Sequence, residues 1–139
     1  FSGCAAVSMD RAVEAETVSA VSGSDYSDSD TSTEGVIYFE YDKFDLSSLA
    51  VSEIRALANS IKSKSNKIRI EGHCDERGTR EYNLALGERR AIAVSELLQV
   101  NGISSSRITT VSYGEERPLS YGSNESSWSK NRRALIKVF

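Results

Sequence analysis

A short alternating run, Ile68-Arg69-Ile70, passes through Gly72-His73-Cys74-Asp75-Glu76-Arg77-Gly78-Thr79 into an amphipathic stretch that continues to Val100. A strand that leads through a polar, Gly-bounded loop directly into a long helix is a unit of folds that pack helices on a sheet. The pattern requires a sheet with a helix packed on it, and it puts a charged loop at the strand's exit, where binding groups commonly sit.

The flanking segments extend the same alternation. Val36-Ile37-Tyr38-Phe39-Glu40-Tyr41 is β-branched and aromatic, and predicts a first strand with order beginning near Gly35. Asp42 to Asp45 forms its exit loop. Ser47 or Ser48 caps a helix running to about Lys64, with Ile54, Leu57, Ala58 and Ile61 on one stripe. Lys67 to His73 is the second strand. Thr79 is the expected N-cap of the second helix, which buries Tyr82, Leu86, Ala93 and Leu97 and stops at Asn101-Gly102. Arg107 to Tyr113 reads as a third strand, Gly114 to Lys130 as a long loop, and Ala134 to Phe139 as the last strand. The expected fold is α/β, an α+β sandwich ordered β-α-β-α-β-β with one sheet and two main helices.

Residues 1–34 differ in kind. They hold one Arg against seven acidic residues, whereas residues 35–139 hold sixteen Lys and Arg against thirteen. Ser, Thr and Asp dominate 17–34, a composition with little to bury against its ordering entropy. Two domains follow: a flexible tether over 1–34 and a folded domain over 35–139. The folded part is mildly basic, well short of a nucleic-acid footprint, and no apolar run is long enough to span a bilayer.

Enzyme chemistry finds no complete constellation. His73 is the single histidine, so any Ser-His-Asp triad must use it. Cys74 follows it directly, and strand neighbours point to opposite faces. Asp75 and Glu76 are adjacent, unlike the opposed carboxylates of a glycosidase. His73, Cys74, Asp75 and Glu76 are contiguous and lack the ligand spacing of a zinc site. No cofactor and no metal is expected. His73 reads as a strand-end residue bonded to backbone and Cys74 as a small packing residue. Asn131-Arg132-Arg133, taken alone, reads as a solvated strand edge. Cys4 and Cys74 permit one disulfide by arithmetic and no framework.

Four ordered blocks carry a family resemblance. They are Val36–Asp42, Gly72–Arg90, Val111-Ser112-Tyr113-Gly114-Glu115-Glu116-Arg117-Pro118, and Ser129-Lys130-Asn131-Arg132-Arg133. Over 36–139 the chain resembles the peptidoglycan-associated lipoproteins of the OmpA C-terminal-like family. Asp75-Glu76-Arg77-Gly78-Thr79 after Gly72-His73 favours that group over porin and flagellar-stator members. Three positions depart from its pattern: Glu40, Cys74 and Arg80.

The resemblance implies a mixed sheet and non-covalent binding of peptidoglycan through the diaminopimelate of its stem peptide. Asp75 matches the family's carboxylate for the ligand ammonium, and Arg90 its guanidinium for the ligand carboxylate. Tyr41 and Asp42 match further pocket residues, with Asn83 and Arg133 in support. It also implies docking to a TolB-like β-propeller and membership of the Tol-Pal system. Phe1-Ser2-Gly3-Cys4-Ala5 resembles the tail of a bacterial lipoprotein signal. Cys4 would then be lipidated and hold the protein on the periplasmic face of the outer membrane.

Overall fold

The computed structural model describes residues 32–139. The elements are β1 (Ser32–Tyr38), α1 (Ser48–Ile61), β2 (Ile68–His73), α2 (Arg80–Val100), β3 (Ile108–Gly114), α3 (Glu125–Asn131) and β4 (Arg133–Val138), with one 3-10 turn at Ser105–Arg107. The expectations for Cys4 and for the tether up to residue 31 lie outside the described residues. The four strands form one mixed sheet ordered β1-β4-β2-β3. β4 runs antiparallel to both β1 and β2, and β2 runs parallel to β3.

Alternation along the strands sends one set of side chains to the two long helices. Ile37, Ile68, Ile70, Ala134 and Ile136 meet Ala50, Ile54, Ala58 and Ile61 of α1 and Ala91, Val94 and Leu98 of α2 in a single apolar core. Burial of aliphatic side chains of this size contributes about 1.5–3 kcal/mol each. Both long helices start where the caps were expected. Ser47 Oγ accepts from the Ala50 amide and Thr79 Oγ1 from the Tyr82 amide.

Several expectations need correction. β1 starts and ends earlier than Val36–Tyr41, because its partner β4 begins at Arg133, opposite Tyr38. The chain then leaves the sheet in a tight turn in which the Lys43 amide donates to Glu40 O. α1 ends at Ile61 rather than near Lys64. The buried face of α2 is Asn83, Leu86, Gly87, Arg90, Ala91, Val94, Ser95 and Leu98. Of the residues expected inside, Leu86 is buried, Ala93 and Leu97 are half-buried, and Tyr82 is exposed. The rotation comes from Gly72 and Gly87. There the backbones of β2 and α2 touch so closely that a Cβ on Gly72 would fall on the Gly87 carbonyl.

The 114–130 segment is not wholly a loop, since Glu125–Asn131 forms α3. Its Ser-rich turn has no apolar stripe to advertise it. It is held by Asn124, whose side chain caps Ser127, and by Asn131, whose amide bonds the 119–120 backbone. Arg132 and Arg133 are buried, and β4 is an inner strand, so this basic cluster is no solvated edge.

Candidate functional site

The carboxyl end of β2, the 74–79 loop and the first turns of α2 enclose a polar cleft of about 130 Å3. Five of the residues singled out from sequence line it together: Tyr41, Asp42, Asp75, Asn83 and Arg90. Arg77, Tyr82, Cys74, Gly78 and Leu86 complete the lining. This is the position where ligands bind in open α/β sheets, outside the carboxyl ends of the strands.

Arg90 reaches the cleft from the buried face of α2 with 1% of its surface exposed. Its Nε donates to Lys43 O at 2.8 Å, Nη1 to His73 O at 2.8 Å and Nη2 to Glu40 O at 3.1 Å. One guanidinium thus ties β2 to the turn after β1. A guanidinium has five N–H donors, and three of them are used in these bonds. Burial pulls its pKa below the usual guanidinium value, with Cys74 and Asp75 acting in the opposite sense.

Asp75 is 3% exposed. Its Oδ1 accepts from the Arg77 amide at 3.0 Å, and Oδ2 lies 3.0 Å from Arg77 Nη2 and 3.5 Å from Arg132 Nη1. Arg77 is clamped from both sides, its guanidinium 3.9 Å from the Tyr41 ring and 3.9 Å from the Trp128 ring. The Trp128 indole donates to Glu76 at 3.1 Å. Asn83 Nδ2 donates to Arg77 O at 3.1 Å and to the Glu115 carboxylate, pinning the loop to α2 and to the end of β3. Asp42 adopts a left-handed backbone, φ 58°, a conformation Asp tolerates better than most residues. Its carboxylate accepts from the Tyr82 hydroxyl across the mouth of the cleft.

Arg133 does not line the cleft. Its Nη1 and Nη2 bond to Asn131 O and Arg117 O, so it braces the backbone behind the site. The neighbouring Arg132 takes the position at Asp75, with its Nε on Phe39 O at 2.8 Å and its fork on Glu125. Arg77, Arg132 and Trp128 were missed from sequence. They come from two segments, the 74–79 loop and α3 with its C-cap, which the fold sets side by side. A signal for Trp128 was its being the only tryptophan, in a segment otherwise poor in apolar residues.

Cys74 is a buried free thiol whose Sγ lies 3.2 Å from Asn83 O. Burial pushes its pKa up to about 11, which keeps it a thiol and a poor nucleophile. His73 is not bonded to backbone through its ring. Its Nε2 is 3.5 Å from Glu71 Oε1, beyond a well-formed bond, and its ring stacks near Tyr113 at 5.4 Å between centroids. Among the described residues no group of three His, Cys, Asp or Glu is placed to hold a metal.

This His73–Glu71 pair gives a pH prediction. Burial opposes charge on Glu71, but His73, Lys137 and Arg69 together outweigh it and hold the carboxyl near 2, against 4.5 when free. Burial likewise lowers the His73 pKa below 6.5; Glu71 opposes this, while Arg133 and Arg117 reinforce it. Both groups bind protons more readily in the unfolded chain, so both lower stability as pH falls. The loss starts as pH drops below 6.5 and steepens between 4.5 and 2. Thermal melts across this range test it, and Glu71→Gln should flatten the lower limb. A melting temperature level from neutral pH to about pH 3 would refute the assignment.

The domain is thus of the α/β class, with a buried carboxylate and a buried guanidinium on one small cleft. The chain belongs to the OmpA family, whose model matches residues 38–132. It is 49% identical over 100 residues to a peptidoglycan-associated lipoprotein of Pseudomonas putida, covering 72% of this chain and 60% of that protein. A relative of the same name from Pasteurella multocida is 44% identical over 101 residues, covering 72% of this chain and 67% of that protein. The chain thus spans about three fifths of the length of the first of these.

The crystal structure of the peptidoglycan-associated lipoprotein from Burkholderia pseudomallei superposes with a TM-score of 0.73 at 38% identity, covering 75% of this chain and 89% of that one. The C-terminal domain of Helicobacter pylori MotB shares the fold, with a TM-score of 0.70 at 21% identity over 76% of this chain and 84% of that one. No helix among the described residues is long and apolar enough to cross a membrane.

Proposed function

We propose that the domain binds peptidoglycan non-covalently by holding the zwitterionic end of diaminopimelate, and that it acts as a tether and not as an enzyme. The observation that carries this is the pairing of Asp75 with Arg90 in one cleft of about 130 Å3. A ligand ending in an ammonium and a carboxylate matches that pair of charges, and charge-assisted bonds are the strong ones. The cleft has room for the end of one side chain. Relatives named as peptidoglycan-associated lipoproteins support the same ligand class.

In this reading Arg90 offers its two remaining N–H groups to the ligand carboxylate. Asp75 receives the ammonium beside Arg132, and Arg77 is the partner that moves, because its side chain is the most exposed of the three at 30%. Tyr41 and Asp42 form the wall opposite, and Asn83 keeps the loop in place. The residues ahead of β1 form the tether, Cys4 carries the lipid in the outer membrane, and a TolB-like propeller docks on the same face.

The test is binding to sacculi and to a diaminopimelate-containing peptide. The domain should co-sediment with sacculi and release no muropeptides. Asp75→Asn keeps the shape and removes the charge, so peptide affinity should fall at least tenfold, which is about 1.4 kcal/mol. Normal sacculus binding by folded Asp75→Asn would remove the ammonium role from Asp75 and with it this mechanism.

A further inference from the structure

A second, larger cavity of about 690 Å3 opens between the end of β1, the start of α1 and α3. No residue lines both cavities, but they adjoin in two places. Arg132 lines it while reaching Asp75 at 3.5 Å. Glu40 and Lys43 also line it, and their backbone carbonyls are the ones that receive Arg90 from the other side. The partition is therefore a single layer of chain.

The charges on this second cavity are open. Among the described residues Lys43 and Lys130 have no ion-pair partner, and neither have Glu40 and Asp45. Phe39 and Leu46 give it an apolar floor. Two free ammoniums beside the Arg132 guanidinium suit a ligand with carboxylates. Two carboxylates on the same lining disfavour a dense polyanion such as a phosphate cluster, because like charges held close repel. The chemistry that fits is a peptide with a few free carboxylates.

We infer that this cavity holds the stem peptide adjoining the diaminopimelate end, with Lys43 and Lys130 taking its carboxylates. The inference rests on the proposed ligand of the first cleft. A cleft with room for one side-chain end leaves the rest of a muropeptide outside, and the second cavity adjoins the first across Arg132 and the 40–43 backbone. The two sites would then engage one ligand at once, and the second would add affinity without further loss of rigid-body freedom.

The experiment separates the two sites by ligand. One probe is diaminopimelic acid acetylated and amidated at one end, which keeps only the zwitterion. The other is a disaccharide-tetrapeptide muropeptide. Lys43→Glu combined with Lys130→Glu should weaken the muropeptide about tenfold and leave the small probe within twofold, by NMR titration. The Lys43→Gln, Lys130→Gln pair should give a smaller loss of the same kind and serves if the reversed charges impair folding. The difference should shrink in high salt, as screening requires. Unchanged muropeptide binding, or an equal loss for both probes, overturns the second site. Asp75→Asn should weaken both probes. If it weakens neither, the ligand assigned to the first cleft is wrong, and that result is distinct from a failure at Lys43 and Lys130.

Discussion

Gly72→Ala is expected to unfold the domain or lower its melting temperature by well over 10 °C. The added methyl would fall on the Gly87 carbonyl, with Gly87 Cα only 3.0 Å away, so backbone and not side chain must yield. Moving α2 off β2 loosens the core around Ala91, Val94 and Leu98. Overpacking of this kind costs about 1–3 kcal/mol and often more where backbone must shift, and each kcal/mol is worth about 4–8 °C in a domain of this size. Two controls bracket the result. A Cβ on Gly35 meets Ile136 Cδ1 at 3.4 Å, an ordinary contact, so Gly35→Ala should cost little. Gly87→Ala meets the Ser112 hydroxyl, a side-chain end that can turn away from the Gly114 amide it accepts from, and approaches Gly72 O at 3.0 Å. It also gains about 1 kcal/mol of helix propensity, so it should be milder than Gly72→Ala. Equal melting temperatures for Gly72→Ala and Gly35→Ala would show that the strand–helix contact is not tight.

Arg90→Lys should injure folding and binding together. The guanidinium satisfies three backbone carbonyls from two separate segments. An ammonium keeps the charge but has no planar fork to reach all three. Each carbonyl left buried without a partner costs about 1–3 kcal/mol. A loss of about 2–4 kcal/mol, or roughly 10–20 °C, is expected. Binding of a diaminopimelate peptide should fall at least tenfold in protein that is still folded at low temperature. A peptide with lysine in place of diaminopimelate lacks the second carboxylate, and it should distinguish little between the parent and Arg90→Lys. Full thermal stability with lost binding would make Arg90 a ligand contact alone and would deny it the bracing role.

The same residue explains what could be read from sequence and what could not. Strands, long helices and both caps follow from local patterns, since Ser47 and Thr79 act within three residues of themselves. The inward face of α2 does not follow, because an apolar-stripe rule sends Arg and Asn outward and gives Gly no weight. Here Asn83, Gly87 and Arg90 face in beside the apolar residues. Asp75 and Arg90 were reached through family resemblance, and composition alone treats both as ordinary surface charges. Arg132 and Trp128 lie beyond local pattern for a different reason: Arg132 meets Asp75, and Trp128 meets Arg77 and Glu76, only once α3 and the start of β4 fold back onto the 74–79 loop.

The insertion of β4 between β1 and β2 has a consequence for how the protein is made. Among the described residues β1 has no neighbour except β4, and the bond between Arg132 and Phe39 O joins positions 93 apart. A chain that emerges amino end first, from a ribosome or through a membrane pore, therefore exposes β1 as an unpaired edge until residues 133–138 arrive. Non-local pairing of this kind slows folding. In a chain threaded through a pore, the delay keeps the sheet open and the site at Asp75 incomplete until nearly all of the domain has crossed.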